Sequence, residues 1–169
     1  MSRPEKNEYA PDYEGYVSLV PDGDIVDILD AQAAEIEEIF ADLPEEKGTY
    51  AYEEGKWTIK ELLGHMIDGE RIFMYRIHRI SRGDKTPIEG FDQDLYIEHA
   101  RSNSRTFLDL ARELILLRRA NVAAFRHFSE KDWGRSGTAN GLEVTTRALA
   151  YITAGHITHH LNILRKRYL

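Results

Sequence analysis

The chain of 169 residues is 42% hydrophobic and 30% charged, and its 22 basic and 29 acidic residues give a formal charge of −7 at pH 7. That length suits one compact domain, and the negative charge, with no clustered Lys/Arg stripe, argues against binding to nucleic acid or to an anionic membrane surface. The chain contains no cysteine, which excludes disulfides, cysteine-ligated zinc and a cysteine nucleophile, so any thiol chemistry needs an external thiol.

The first segment, residues 1–23, is predicted to be an irregular N-terminal arm packed on a single domain formed by residues 24–169. Three prolines interrupt the arm, and three tyrosines indicate that it lies over a surface: Pro4, Pro11, Pro21, Tyr9, Tyr13 and Tyr16. Its polar start lacks a signal-peptide apolar segment, and no run approaches the roughly 20 apolar residues that span a bilayer. We therefore expect a cytoplasmic protein with no membrane partner.

The next two segments have apolar residues at the three- and four-residue steps of amphipathic helices. The first helix is predicted to begin at Asp24 and to end before Pro44. The second is predicted to begin at Thr58, which forms a capping-box pattern with Glu61, and to end near Gly83.

Two further helices follow long connections. Residues 83–102 are predicted to contain a short helix from Leu95 onward, and Ser104 to cap a third long helix that ends at about Phe128. A glycine-rich connection then leads to a last helix, which begins at Val144 or Thr145 and runs almost to the C terminus. No alternating strand pattern is evident.

Four long amphipathic helices without strands predict an all-α fold, a four-helix bundle with long connections. The alternative is an irregular all-α domain, because the connections after Gly83 and Phe128 are longer than an up-down-up-down bundle requires.

Two histidines of the last helix are candidate metal ligands. His156 and His160 lie one turn apart on the same face, and apolar neighbours at the same spacing turn that face inward. A single inward histidine is commonly a core residue whose ring nitrogens are hydrogen-bonded to the protein. Burying two adjacent imidazoles costs desolvation, however, whereas a divalent cation satisfies both nitrogens at once. A third ligand is needed, and His65, about two turns into the second helix, is the best candidate.

The other histidines have weaker cases. Three are predicted to be solvated: His78, His99 and His127. His159 either lies on the flank of the site or orients it. Ile157 occupies the position of the glutamate in H-E-x-x-H, so the paired histidines do not indicate a zincin protease.

One carboxylate is a candidate catalytic residue. Asp68 lies one turn on from His65, where it could accept a ring proton or handle a substrate proton. The alternative is an exposed ion pair with Arg71 on the same helix.

These motifs resemble the DinB-like superfamily of metal-binding helical bundles, over most of the chain from Tyr16 onward. The resemblance combines a Trp-Thr cap before a helix-two histidine with H-x-x-x-H in the last helix. The matching runs are Lys56 to Glu61 with His65, Asp68, Glu70 and Arg71; Gly90 to Asp94; and Gly155, His156, His159 and His160. The resemblance implies a four-helix bundle, often a homodimer, in which His65, His156 and His160 bind nickel or zinc.

Members of that superfamily with known activity include transferases that use low-molecular-weight thiols such as bacillithiol, and a mycothiol-dependent maleylpyruvate isomerase. The leading hypothesis is a metal-dependent transferase that acts on a small-molecule substrate and a low-molecular-weight thiol, whose pKa the ion lowers. Two alternatives stay open: a hydrolase that uses water activated by the ion, and a non-catalytic bundle stabilised by metal. Because only neutral imidazole binds metal, affinity is expected to fall as the pH drops through about 6.5.

Overall fold

Four long helices dominate the computed structural model, which describes residues 2–169. Over that range the α-helices are α1 (Glu14–Val17), α2 (Ile25–Ala41), α3 (Ile59–Ser81), α4 (Gln93–Ala100), α5 (Phe107–Phe125), α6 (Glu130–Trp133) and α7 (Thr146–Ile163). Short 3-10 turns span Pro11–Tyr13, Glu45–Thr49 and Ser102–Ser104, and a π-helical turn, Leu164–Tyr168, follows α7. The predicted four-helix bundle is confirmed, with α2, α3, α5 and α7 as its long helices.

The bundle has two apolar clusters, one toward each end. One joins the N-terminal half of α7 to the C-terminal parts of α3 and α5, the start of α2 and the N-terminal arm. The other joins the C-terminal half of α7 and of α2 to the N-terminal parts of α3 and α5. Between them lies a layer of buried polar side chains, and this layer holds the candidate site.

Side-chain caps fix where the long helices begin. The predicted capping box is present at α3: the Glu61 backbone N–H donates to Thr58 Oγ1 at 3.1 Å, and the Thr58 N–H donates to Glu61 Oε2 at 2.8 Å. Thr145 caps α7 by accepting from the Ala148 N–H at 3.1 Å, so the last helix follows Thr145 rather than Val144. Each cap satisfies an N–H that the first helical turn leaves without an internal partner.

The third long helix begins two residues later than predicted. Thr106, not Ser104, is its N-cap and accepts from the Asp109 N–H at 3.2 Å. Ser104 instead belongs to the preceding 3-10 turn, where its hydroxyl donates to the carbonyl of Arg101. The helix ends at Phe125, three residues before the predicted end at Phe128.

The expectation of a chain without strands is wrong at one place. Strands β1 (Ser136–Ala139) and β2 (Leu142–Thr145) form an antiparallel hairpin. Asn140 and Gly141 connect them with φ angles of 54° and 74°, the conformation that a two-residue hairpin turn requires and that Asn-Gly favours. Four-residue strands are too short for an alternating pattern to stand out, so the Asn-Gly pair was the usable signal.

The long connection after α3 is tied to this hairpin. Ile88 donates its N–H to Thr138 O at 2.9 Å and accepts from the Asn140 N–H at 2.8 Å. Asp92 then caps α4, which begins two residues before the predicted start at Leu95. The connection is therefore held in place and carries residues 91–93 toward the bundle.

The N-terminal arm contacts α7, and part of it is helical rather than irregular. Arg3 donates to the carbonyls of Val17 and Val20 at 2.8 and 2.7 Å, and Glu8 pairs with Arg147 of α7 at 2.6 Å. The division of the chain at residue 24 stays a prediction. No helix between residues 2 and 169 combines the length and apolarity that crossing a bilayer requires.

Candidate metal centre

Three buried imidazoles meet in the polar layer. His65 of α3 lies 4% exposed, and His156 and His160 of α7 lie 4% and 7% exposed. The Nε2 atom of His156 is 2.9 Å from that of His65 and 3.1 Å from that of His160, and the potential ligand atoms of the three rings all lie within 4.8 Å of one another. The structure thus brings together the three histidines that the sequence singled out.

Local structure explains this convergence. His156 and His160 share a face of α7 because they are four residues apart, and α3 packs along that face. Gly69 lies one turn beyond His65 and makes room for the His156 ring, since a Cβ atom there would lie 2.7 Å from its Cε1 atom. Gly69 was not recognised from the sequence.

The electrostatics keep the imidazoles neutral. Burial lowers the pKa of His65 to about 4 and that of His160 to about 3. Burial, followed by the charges of the neighbouring histidines, lowers the pKa of His156 well below its usual value. At neutral pH each ring therefore offers a lone pair, the form in which imidazole binds metal.

The donor set fits a divalent transition metal. Three neutral Nε2 atoms that face one another cannot all be satisfied by mutual hydrogen bonds, because each neutral ring has one N–H and one lone pair. Within residues 2–169, moreover, the buried Nδ1 atom of His160 has no hydrogen-bond partner. A cation that accepts three lone pairs resolves the crowding at Nε2, and imidazole suits zinc and nickel.

Aromatic rings surround the cluster. The Trp57 ring lies 4.8 Å from His65, centroid to centroid, while Phe73 and Tyr16 meet His156 edge-on at 5.4 and 5.7 Å. These rings restrict the imidazoles and lower the local dielectric constant, which strengthens any charge interaction inside.

A buried ion pair lies in the same layer. Arg118 of α5 is fully buried and donates to both oxygens of Glu70 of α3, at 2.9 and 2.7 Å. It also donates to Gln32 Oε1 of α2 at 2.7 Å, and the amide of Gln32 donates to Ala154 O of α7 at 2.9 Å. Asn121 adds a donor to Glu70 at 2.6 Å. This network links all four long helices beside the imidazoles.

Sequence reasoning missed this network, although a signal was present. Glu70 falls between Met66 and Phe73 in the inward spacing of its helix, and Arg118 falls four residues from both Leu114 and Val122. A charged residue in an inward position requires a buried partner. Two such residues of opposite charge on different helices therefore indicated a pair.

Two cavities reach the cluster. The first, of about 160 Å³, is lined by His65 and His156 together with Arg76 and four aromatic side chains; these are Tyr13, Tyr16, Phe73 and Phe91. The second, of about 250 Å³, reaches His160 between Trp57 and Tyr168. The connections and the N-terminal arm supply much of the first wall, as is common for sites on rigid scaffolds.

Asp68 lines neither cavity. It is half-buried, and burial raises its pKa, with the positive charge of Arg71 opposing that effect. Arg71 donates instead to Glu113 at 2.6 Å. The proton-handling role of Asp68 stays a prediction.

The remaining histidines lie outside the cluster. Three are exposed, as predicted: His78, His99 and His127. His159 is half-buried and packs edge-on against Tyr16 at 5.4 Å, which places it on the flank of the site.

Comparisons with known proteins agree with this architecture. YfiT from Bacillus subtilis, a probable metal-dependent hydrolase with an unusual four-helix bundle topology, is 15% identical with a TM-score of 0.70, and the match covers 98% of this chain and 93% of that one. The mycothiol-dependent maleylpyruvate isomerase is 17% identical with a TM-score of 0.64 over 81% of this chain, which spans only 58% of the isomerase. The TM-scores show a shared fold, and at such low identities they show the fold alone.

Family assignment rests on the sequence. No curated protein matches the chain in sequence. The family model of the DinB superfamily matches residues 28–164, a range that includes all four long helices except the first three residues of α2. The chain therefore belongs to the DinB superfamily.

Proposed function

We propose that His65, His156 and His160 bind one divalent transition metal, nickel or zinc. The observation that carries this proposal is the meeting of three buried, neutral Nε2 atoms from two helices. The open cavities on this cluster fit a reactive site with exchangeable positions better than a closed structural site.

We further propose that the protein is a metal-dependent transferase acting on a small molecule and a low-molecular-weight thiol. A metal bound there would supply Lewis-acid chemistry and lower the pKa of a thiol. Two separate cavities at the cluster suit two reactants, and the thiol must be external because the chain has no cysteine. A structural neighbour is mycothiol-dependent.

The residues of the chain have separate roles in this proposal. The imidazoles hold the ion, and the Glu70–Arg118 pair fixes α3 against α5, next to His65. Trp57, Tyr16 and the other rings pack against the imidazoles and restrict how these can turn. Asp68 remains the proposed proton carrier, reaching the reactants through movement or a water molecule.

Elemental analysis of the purified protein tests the metal site. Wild type should carry about one metal ion per chain, and His156→Ala should lose it, while His99→Ala, which changes an exposed histidine, should retain it. Equal metal content in wild type and His156→Ala would contradict the proposed ligands.

A conjugation assay tests the transferase. Metal-loaded protein is mixed with several low-molecular-weight thiols and an electrophile, and product formation is compared with His65→Ala. Asp68→Asn should slow turnover at unchanged metal content. Rates no higher than those of His65→Ala with every thiol would contradict the transferase proposal.

Hydrolysis is the second candidate, because a structural neighbour is described as a probable metal-dependent hydrolase. Turnover of an ester, amide or phosphoester substrate without any thiol would favour it. A non-catalytic bundle is the remaining alternative. Chelation distinguishes the non-catalytic bundle from an enzyme. If the ion is structural, its removal should lower the thermal stability, and the metal-loaded protein should show no turnover.

We also propose a homodimer. Leu108 and Leu116 of α5 lie 76% and 56% exposed and line one cleft with Ala111 and Ile115, and exposed apolar patches are typical of protein contacts. Sedimentation equilibrium should give twice the chain mass for wild type, and Leu116→Glu should shift the species toward monomer. A wild-type monomer across micromolar concentrations would contradict this proposal.

A further inference from the structure

Arg76 of α3 is a buried cation that pairs with no acidic side chain in residues 2–169. Its side chain lies in the first cavity, and the residue is only 3% exposed. Its one hydrogen bond in residues 2–169 is a long one of 3.3 Å from Nη2 to the carbonyl of Glu89, and Tyr13 lies near enough to oppose the lowering of its pKa. Its Nε–H is buried and has no partner in residues 2–169.

Arg118, the other fully buried arginine described above, shows the contrast. Both oxygens of Glu70 and the amide of Gln32 satisfy its guanidinium. Burial lowers the pKa of Arg76, and Tyr13 opposes that effect, but an arginine stays protonated in proteins. No acidic side chain in residues 2–169 pairs with Arg76, whose guanidinium meets only the Phe73 ring, at 6.0 Å from its centroid, as a further electrostatic contact.

The surroundings of Arg76 indicate where that group binds. Arg76 shares its cavity with His65 and His156, and it is the one side chain with a permanent charge among the described residues that line it. The aromatic rings of the cavity wall are apolar, while Gln93 and Asn140 add amides. A volume of about 160 Å³ is close to that of a cavity that holds benzene.

We propose that Arg76 binds the carboxylate of a small organic acid, whose other end reaches the imidazole cluster. This inference rests on the proposed function and names its substrate class. One arginine matches one negative charge, and its planar N–H groups suit a carboxylate. A phosphate dianion fits less well, because no lysine or second arginine lines the cavity and the Glu89 carbonyl lies beside the guanidinium.

Ligand titrations test this assignment. Crotonate, a planar four-carbon carboxylate, is compared with its uncharged analogue crotonamide and with inorganic phosphate by calorimetry. The protein is used as purified and after chelation. Crotonate should bind at least tenfold more tightly than crotonamide, and Arg76→Gln should remove that difference. Arg76→Lys should recover part of this preference for crotonate, because lysine keeps the positive charge but lacks the planar pair of N–H donors of a guanidinium.

Arg82→Gln is the matched control, because Arg82 lies at the end of the same helix but is exposed and outside the cavity. It should bind crotonate as wild type does. Equal affinity for crotonate and crotonamide, unchanged binding by Arg76→Gln, or tighter binding of phosphate would overturn the assignment.

A measurement on wild type covers the case in which the Arg76 variants do not fold. The Nε–H resonance of Arg76, assigned from the backbone by NMR, should shift on addition of crotonate and not of crotonamide. The absence of that shift would also overturn the inference.

Metal content separates this inference from the proposed function. Arg76→Gln should keep its metal. If wild type carries metal but binds crotonate no better than crotonamide, only the carboxylate assignment fails. If wild type binds crotonate through Arg76 but carries no metal, only the metal proposal fails.

Discussion

Single residues set the polar layer at the centre of the bundle. Glu70 and Arg118 occupy inward positions that amphipathic spacing reserves for apolar side chains, and they are 1% and 0% exposed. A buried ion pair is weak evidence of stability, because desolvation offsets much of the attraction. Removing one partner is different, since it leaves the other charge buried alone.

A substitution of Arg118 tests this difference. Arg118→Met should lower the free energy of unfolding by about 3–5 kcal/mol. Glu70→Leu combined with Arg118→Met should cost less than Arg118→Met alone, because no buried charge remains. Urea unfolding measures both variants. Glu113→Gln, which removes a partly exposed partner of both Arg71 and Arg105, is the control and should cost at most about 1 kcal/mol. A double variant less stable than the single one would contradict the argument.

Gly69 leaves the space that the His156 ring occupies. A methyl group there would press on the His156 ring, so Gly69→Ala should weaken metal binding by at least tenfold, since ligand geometry sets affinity. Competition with a chromophoric chelator measures the affinity. Gly15→Ala is the control, because a Cβ at Gly15 meets nothing within 4 Å. Wild-type affinity in Gly69→Ala would show that the ring has room to move.

At the scale of elements, the arm and the connections form much of the site. Tyr16 of α1 packs on His156 and His159, and α1 lies against α7. Gly155 permits this approach, because a Cβ there would overlap the carbonyl of Tyr16. The arm therefore depends on a glycine that stands immediately before a proposed ligand.

Gly155→Ala should displace the arm. The clash is with backbone, which adjusts poorly, so we expect a loss of about 1–3 kcal/mol in the free energy of unfolding. Limited proteolysis should cut within residues 2–23 faster than in wild type, with Gly15→Ala again unchanged. An arm as resistant in Gly155→Ala as in wild type would contradict the packing argument.

At the scale of the whole molecule, the buried histidines link stability to pH. In the folded protein the pKa of His65 is about 4 and that of His160 about 3, whereas in an unfolded chain both are about 6.5. Between about pH 6.5 and pH 4 the unfolded chain therefore binds protons that the folded chain does not. The free energy of unfolding must fall as the pH falls through this window.

Metal-free protein should show this fall directly. Its free energy of unfolding, measured with urea, should be lower at pH 5.5 than at pH 7.5 by about 1 kcal/mol for each buried imidazole. A variant with glutamine in place of His65, His156 and His160 should show a flatter profile. Equal slopes in the two proteins would contradict the lowered pKa values. Because of the same lowered pKa values, protons should compete with metal for the folded histidines only below the pH of about 6.5 that the sequence predicts.

Local features of the chain could be predicted from the order of its residues. Apolar spacing and caps such as Thr58 with Glu61 fixed the long helices to within a few residues, because those signals act over one or two turns. The spacing of His156 and His160 likewise fixed their common face. The hairpin was missed because its strands are short, although Asn140-Gly141 encodes its turn.

Which distant residues meet depends on how the helices pack against one another. His65 contacts His156, which lies 91 positions away in the sequence. The polar network forms only when three helices pack together, because it joins Glu70, Arg118 and Gln32. The burial of Arg76 could not be predicted from its neighbours in sequence, because it depends on how the hairpin, the connection after α3 and the N-terminal arm pack around α3. Packing, rather than propensity, brings these groups together, because each contact joins side chains whose own segments carry no information about the other.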